Sequence, residues 1–168
     1  MHDYAPFLRE VAHGQVLEIG VCQGFSTAAL LLGLDDKGAG KLSSFDVNRE
    51  CGKIFSHPRW TFFGMDSRMA CYCPVQSVDV LFVDGDHSYD FAFGDLCRLE
   101  PLVKPGGMIL AHDVAPSAEW LPRILRENWY PVEECRRAWK DFVDLHPSWV
   151  SEIRPGMTGL GVMTKGTN

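Results

Sequence analysis

The sequence lacks several features that would define whole classes of protein. No run of about 18 apolar residues is present, so no transmembrane helix is expected. The start, Met1 to Pro6, lacks the basic segment and apolar core of a secretory signal. Basic residues are few, because 16 Lys and Arg stand against 22 Asp and Glu for a net charge of −6. We therefore expect neither a membrane nor a nucleic acid as a partner.

Paired C-x-x-C motifs are also missing, although the chain contains six cysteines. Cys71-Tyr72-Cys73 offers two thiolates without the second pair that a structural zinc site needs. A chain of 168 residues is also too long for a mini-domain stabilised by disulfides. Free, reduced thiols and a cytoplasmic location are therefore predicted.

Short apolar runs alternate with helix-like segments along the chain. Such alternation predicts one Rossmann-like α/β domain over residues 1–168, built on a mainly parallel sheet. The pattern predicts strands at 15–19, 41–47, 60–64, 78–83, 108–111, 149–153 and 159–163, and helices at 26–34, 89–103, 117–127 and 133–145. In such a sheet, ligands bind beyond the carboxyl ends of the strands.

A glycine turn, Glu18-x-Gly20-x-x-x-Gly24, follows the first predicted strand. Glycines at a strand-to-helix turn let the backbone approach a ligand closely. A dinucleotide fingerprint needs glycine where this chain has Cys22, which disfavours NAD and FAD. S-adenosylmethionine has no pyrophosphate and fits a looser turn. Glu18 would face its ammonium group, and Ser26 its carboxylate. The alternative is a plain strand-turn-helix.

Two further acids follow predicted strands. Asp46 ends the second strand and is placed to accept the ribose hydroxyls of an adenosine. Asp66 follows the third strand and could accept the adenine amino group. Each acid could instead cap the segment that follows it.

The richest cluster of polar residues follows the fourth and fifth strands. Asp84 and Asp113 would converge if these strands are neighbours, and two carboxylates suit a hard cation such as Mg²⁺. His87 has an ordinary pKa suited to a general base near neutral pH. The alternative is that Asp86 and His87 form a turn and cap the next helix.

These motifs carry a family resemblance. Val16 to Leu32 resembles the first motif of class I S-adenosylmethionine-dependent methyltransferases. Val78 to Asp113 resembles the metal-dependent O-methyltransferase branch, which includes the macrocin O-methyltransferase type, cephalosporin hydroxylase-like proteins and, more distantly, catechol O-methyltransferase. The resemblance implies a seven-stranded, mainly parallel sheet with helices on both faces and an antiparallel last strand. It implies cofactor contacts at Glu18, Gly20, Gly24, Ser26, Asp46 and Asp66, metal ligation by Asp84 and Asp113, and a base at His87.

The sequence departs from that pattern at two places. Magnesium-binding members have two oxygen-bearing side chains in tandem after the fifth strand, where this chain has His112-Asp113. Either His112 points away, or it binds a different metal such as Mn²⁺, or the site is metal-free. Relatives usually carry extra helices before the first strand that cover the acceptor, whereas only 14 residues precede Gln15 here. The resemblance therefore implies an open acceptor side, which a partner subunit of a homo-oligomer could cover.

The sequence predicts an S-adenosylmethionine-dependent O-methyltransferase, assisted by Mg²⁺ or Mn²⁺, that acts on a hydroxyl of a sugar or natural product. Asp84 and His87 are its predicted catalytic residues, and Asp84, Asp113 and His112 its predicted metal ligands. One alternative is a metal-independent N- or C-methyltransferase. Another is a non-catalytic module that binds S-adenosylmethionine or a nucleotide. A third alternative is a nicotinamide oxidoreductase, which Cys22 in the glycine turn disfavours.

Overall fold

The computed structural model describes residues 2–115 and 131–167. Its α-helices are α1 (Ala5–Val11), α2 (Phe25–Asp36), α3 (Tyr89–Leu99) and α4 (Pro131–Leu145). Its strands are β1 (Gln15–Ile19), β2 (Lys41–Phe45), β3 (Trp60–Phe63), β4 (Val78–Val83), β5 (Val103–His112), β6 (Val150–Arg154) and β7 (Leu160–Thr164). The helix predicted at 117–127 lies outside the described residues.

The seven strands form one sheet in the order β3-β2-β1-β4-β5-β7-β6. Strands β1 to β5 pair in parallel, whereas β7 runs antiparallel between β5 and β6. The predicted fold, with its antiparallel last strand, is confirmed.

Helices cover both faces of the sheet because the central strands alternate their side chains between two apolar layers. Val80 and Phe82 of β4 face a cluster that includes Leu8 of α1 and Leu30 of α2. Leu81, between them in sequence, faces a second cluster with side chains of α3 and α4, including Leu96 and Phe142. This two-sided burial explains why β4 is a nearly continuous apolar run.

The predicted helix at 89–103 ends earlier, at Leu99, and β5 begins at Val103. Pro101 lies in the 3₁₀ turn Glu100–Leu102 between them, where the chain leaves the α-helix. The strand predicted at 108–111 is therefore longer, and at its irregular start the pairing with β4 shifts register between Val78 and Val80.

This topology sets the position of the functional site. The carboxyl ends of β1, β2, β4 and β5 lie at the same edge of the sheet, because these strands are parallel neighbours. In the described ranges, none of the helices is long and apolar enough to cross a membrane.

Candidate active site

A cavity of about 640 Å³ opens beyond the carboxyl ends of β1, β2, β4 and β5. It brings together residues that lie far apart in the sequence. The predicted site residues on its wall are Gly20, Ser26, Asp46, Asp66, Asp84, His87, His112 and Asp113.

The turn after β1 fits tightly against the end of β4. Gly20 has a φ of 89°, and a Cβ built on it would lie 2.0 Å from the carbonyl oxygen of Asp84. Only glycine fits this position without displacing backbone. Cys22 also has a left-handed backbone, with a φ of 48°, and Gly24 caps α2 with a φ of 78°. The cavity wall is therefore backbone at the point where β1 ends.

Asp46 holds this turn from the end of β2. Its Oδ2 accepts hydrogen bonds from the backbone N–H groups of Val21 at 2.9 Å and Cys22 at 3.0 Å. Its Oδ1 accepts one from the N–H of Asn48 at 2.8 Å. Burial by itself would raise the pKa of Asp46, but these N–H groups outweigh it and hold the pKa below its ordinary value.

Glu18 and Gly24, both predicted cofactor contacts, are absent from the described cavity lining. The Glu18 side chain is fully buried beneath the turn, where its carboxylate accepts hydrogen bonds from Ser26 at 2.6 Å, Thr27 at 2.8 Å and Ser44 at 2.6 Å. Burial raises the pKa of Glu18 to about 7 despite these hydroxyls. In this geometry Glu18 ties β1 to α2 and β2 and does not face a ligand. Alternation along β1 turns it toward α2.

Asp66 serves as a cap and also lies on the cavity wall. It is the N-cap of the 3₁₀ helix Ser67–Tyr72, and its carboxylate accepts from the N–H and the guanidinium of Arg68. The guanidinium of Arg68 holds the pKa of Asp66 below its ordinary value. The capping alternative is therefore present, and a contact with adenine stays a prediction.

Four side chains meet where β4 and β5 end: Asp84, His87, His112 and Asp113, which we call the strand-end cluster. His87 Nε2 lies 2.7 Å from Asp113 Oδ2 and 3.6 Å from Asp84 Oδ1. His112 Nδ1 lies 3.0 Å from Asp113 Oδ1 and 3.2 Å from Asp84 Oδ1. Each carboxylate thus faces both imidazoles.

The charges in the strand-end cluster shift the pKa values strongly. Hydrogen bonding to Asp113, and then to Asp84, raises the pKa of His87 to about 10. Burial opposes a charged His112, but the same two carboxylates raise its pKa to about 9. Burial would raise the pKa of Asp113, yet the two imidazoles hold it far below its ordinary value. The imidazoles of His87 and His112 therefore keep their positive charge beside the carboxylates of Asp84 and Asp113.

The strand-end cluster also fits a divalent cation. Donor atoms of Asp84, His87 and Asp113 all lie within 4.8 Å of one another, the one such group of three in residues 2–115 and 131–167. Donors that share a cation at ~2.1 Å each lie at most ~4.2 Å apart, which the contacts between histidine and aspartate satisfy. The Asp113 backbone is left-handed, with a φ of 62°, a strained conformation often found at functional sites. The site thus offers oxygen and nitrogen donors to a metal.

The sequence analysis missed three residues near the site. Asp95 of α3 is buried on the cavity wall and accepts a hydrogen bond from Ser67 at 2.8 Å. Tyr4 and Thr158 lie behind His112, with the Tyr4 ring edge-on to it at 5.5 Å between ring centres. No local pattern marks Tyr4 or Thr158, since each reaches the site through tertiary packing. Asp95 could have been found, because it is an acid within the apolar stripe of α3.

The sheet order, the glycine turn held by an acid at the end of β2, and acids after β4 and β5 define a class I methyltransferase fold with a cavity at the strand ends. Comparison with known families gives the same class. The family model described as a methyltransferase domain matches residues 17–114, and the chain belongs to that family.

Individual relatives agree with this assignment. The chain is 30% identical over 145 residues to a caffeoyl-CoA O-methyltransferase of Stellaria longipes, a match covering 74% of this chain. It spans 58% of that relative's length. Its fold is similar to an O-methyltransferase of Bacillus cereus in complex with SAH (TM-score 0.73, 18% identity, 98% of this chain and 81% of the other). An SAH-bound methyltransferase of Podospora anserina is also similar (TM-score 0.72, 18% identity, 98% and 78%).

Proposed function

We propose that this chain transfers the methyl group of S-adenosylmethionine to a hydroxyl group of a small molecule, assisted by a divalent cation. One observation carries the proposal: two groups of predicted site residues line the same cavity. The glycine turn with Asp46 forms one wall, and the strand-end cluster forms another. The names of the relatives, O-methyltransferases among them, support the same chemistry.

The cofactor would lie along the glycine turn. Gly20 lies on the cavity wall and lets the turn pack directly against the end of β4, so the cofactor would meet backbone there. Asp46 is already fixed by three N–H groups and would accept the ribose hydroxyls with its remaining lone pairs. Asp66 would face the adenine, and Ser26, at the start of α2, the carboxylate end. S-adenosylmethionine supplies a methyl group on a cationic sulfonium, which an acceptor oxygen must approach in line.

The strand-end cluster would prepare the acceptor hydroxyl. Asp84 and Asp113 would hold the cation, which when bound lowers the pKa of a nearby hydroxyl. His87 would take the hydroxyl proton as the oxygen–methyl bond forms and the carbon–sulfur bond breaks. Its raised pKa reflects the two carboxylates, and their attraction for a proton on His87 falls when a cation shares them.

Methyl transfer from S-adenosylmethionine to a panel of sugars, phenols and other alcohols tests the proposal. We expect turnover of at least one hydroxyl acceptor, and loss of that turnover in EDTA. His87→Gln should slow it by about 100-fold or more, because general-base catalysis is lost. His13→Gln, a change of an exposed histidine, should leave the rate unchanged.

Three outcomes would contradict parts of the proposal. Full activity of His87→Gln would reject the base. Turnover of amines alone, unaffected by EDTA, would favour a metal-independent N-methyltransferase. Tight binding of S-adenosylhomocysteine (SAH) with no transfer to any acceptor would favour a non-catalytic module.

A further inference from the structure

We propose that Asp95 Oδ2 accepts a hydrogen bond from the 6-amino group of adenine, and that this contact makes the cavity selective for adenine over 6-oxopurines. This inference rests on the proposed function, because it requires S-adenosylmethionine in the cavity. It concerns a buried acid that belongs neither to the glycine turn nor to the strand-end cluster.

The two oxygens of Asp95 have different surroundings. The residue is 2% exposed and lies on the cavity wall. Among the described residues, its hydrogen-bond donors are the Ser67 hydroxyl at 2.8 Å and Arg98 Nη1 at 2.9 Å, and both meet Oδ1. A buried carboxylate oxygen is costly unless a donor reaches it. Oδ2 is therefore the oxygen that a ligand can use.

Oδ2 is directed toward a part of the wall that carries no side chain. A Cβ built on Gly85 would lie 3.9 Å from Asp95 Oδ2, and Gly85 also lines the cavity. Burial raises the pKa of Asp95, while Ser67 and Arg98 oppose that rise. A ligand donor on Oδ2 would stabilise the ionised carboxylate further.

The neighbours of Asp95 form a corner suited to a flat base. Phe91 lies four residues before Asp95, on the same face of α3, and Met65 and Ser67 follow β3; all four line the cavity. The sulfur of the cofactor would face the strand-end cluster, so the base would extend from the ribose at Asp46 into this corner. The ring would then pack against Met65 and Phe91, with its amino edge at Asp95.

Asp66 lies in the same corner, but its carboxylate is already engaged. Its Oδ1 accepts from the backbone N–H and Nε of Arg68, each at 2.9 Å, and its Oδ2 accepts from Nη2 at 2.8 Å. Both oxygens of Asp66 thus have donors, whereas those of Asp95 do not share theirs equally. Asp95 is the better acceptor for the 6-amino group.

An amide in place of the carboxylate should reverse the selectivity. Ser67 and Arg98 both donate to Oδ1, so in Asp95→Asn the amide oxygen would take that place and the NH₂ group would replace Oδ2. An NH₂ group repels the 6-amino group of adenine and donates to the 6-oxo group of hypoxanthine. A carboxylate oxygen does the opposite.

Calorimetric titration of the full chain with SAH and with S-inosylhomocysteine, its 6-oxo analogue, tests the contact. We expect the wild type to bind SAH at least about 10-fold more tightly, and Asp95→Asn to bring the two affinities within about 3-fold of each other. Asp90→Asn, a change of an exposed acid on the same helix, should keep the wild-type ratio.

Three results would overturn the assignment. Equal affinities in the wild type would remove the selectivity. Equal weakening of both compounds in Asp95→Asn would leave Asp95 as a support for Ser67 only. Loss of the ratio in Asp66→Asn, and not in Asp95→Asn, would assign the amino group to Asp66.

A crystal structure of the wild type with SAH provides a test that needs no variant to fold. We expect the 6-amino nitrogen within about 3.2 Å of Asp95 Oδ2. A base bound outside the corner would overturn the inference.

These readouts separate this inference from the proposed function. Selective binding of SAH without methyl transfer to any acceptor would reject the enzyme and keep the role of Asp95. Methyl transfer with equal affinity for the two compounds would reject the role of Asp95 and keep the enzyme. Failure of the wild type to bind either compound would reject both.

Discussion

At the scale of single residues, the site depends on charged groups that are held close together at the edge of the core. Asp113 adopts a left-handed backbone that costs a non-glycine residue about 1–2 kcal/mol. Its carboxylate lies against both His87 and His112. The surrounding contacts thus compensate for a local conformation that the residue itself disfavours.

Glu18 gives a residue-scale prediction about stability. Its pKa of about 7 lies above the ordinary 4.5, so the folded chain binds more protons than the unfolded chain between these values. The free energy of unfolding should therefore fall as pH rises through this window, by roughly 3 kcal/mol in all, and level off above it. Glu18→Gln should lose that part of the slope. Urea unfolding at about pH 5 and pH 7.5 measures it.

The matched control for this prediction is Glu10→Gln, a change of an exposed glutamate on α1. It should keep the pH dependence of the wild type. An unchanged slope in Glu18→Gln would show that the buried carboxylate stays ionised across the window, held by its three hydroxyl donors.

At the scale of elements, the contact between the glycine turn and β4 brings the two halves of the site together. The backbone N–H of Gly20 donates to the carbonyl of Phe45 at 2.9 Å, and that of Asp84 to the carbonyl of Ile19 at 2.8 Å. The ends of β1, β2 and β4 are therefore joined by backbone hydrogen bonds. Any side chain at position 20 would separate the turn from β4.

Two glycine substitutions test this contact. Gly20→Ala combines an unfavourable φ with a Cβ 2.0 Å from a carbonyl oxygen, and should destabilise by about 3 kcal/mol or more. Gly38→Ala is the matched control, since Gly38 has a φ of 65° but nothing within 4 Å of an added Cβ. It should cost only about 1 kcal/mol. Denaturant unfolding compares the two, and equal losses would contradict the close contact.

At the scale of the whole molecule, the sheet order decides which residues can cooperate. Placing β1 between β2 and β4, with β5 beyond β4, brings four strand ends to one cavity. Strand β7 then lies between β5 and β6, and Thr158, two residues before β7, reaches the back of His112. The glycine turn and the strand-end cluster belong to one continuous sheet, so binding of a ligand between them should stabilise the whole fold.

Ligand binding gives the whole-molecule prediction. SAH at about 100 times its Kd should raise the free energy of unfolding by roughly 2.7 kcal/mol, or about 5–10 °C in Tm for a chain of this length. Asp46→Asn should lose most of this shift, because the proposed ribose acceptor and the support of the turn are weakened. Asp144→Asn, on the exposed side of α4, should retain it. Thermal unfolding with and without SAH measures both, and a full shift in Asp46→Asn would contradict the role of Asp46.

The sequence by itself determined the order and type of most described elements. Strand β4 was predicted at its observed bounds, since burial on both faces demands a continuous apolar run. The placement of Asp46, Asp84 and Asp113 near one edge followed from the rule that parallel strands end together. The end of α3 was predicted too late, because a proline turn leading into β5 resembles a continuing helix in its apolar spacing.

Only the tertiary structure decided which atoms meet within that edge. Glu18 lies one residue from the turn, yet alternation along β1 directs it into a network with Ser26, Thr27 and Ser44. The orientation of His112 depends on Tyr4 and Thr158, which lie more than 40 residues away along the chain and reach it through α1 packing and the insertion of β7. Local periodicity fixes strands and helices because it reflects near neighbours, whereas ring orientation depends on distant contacts that no local pattern encodes.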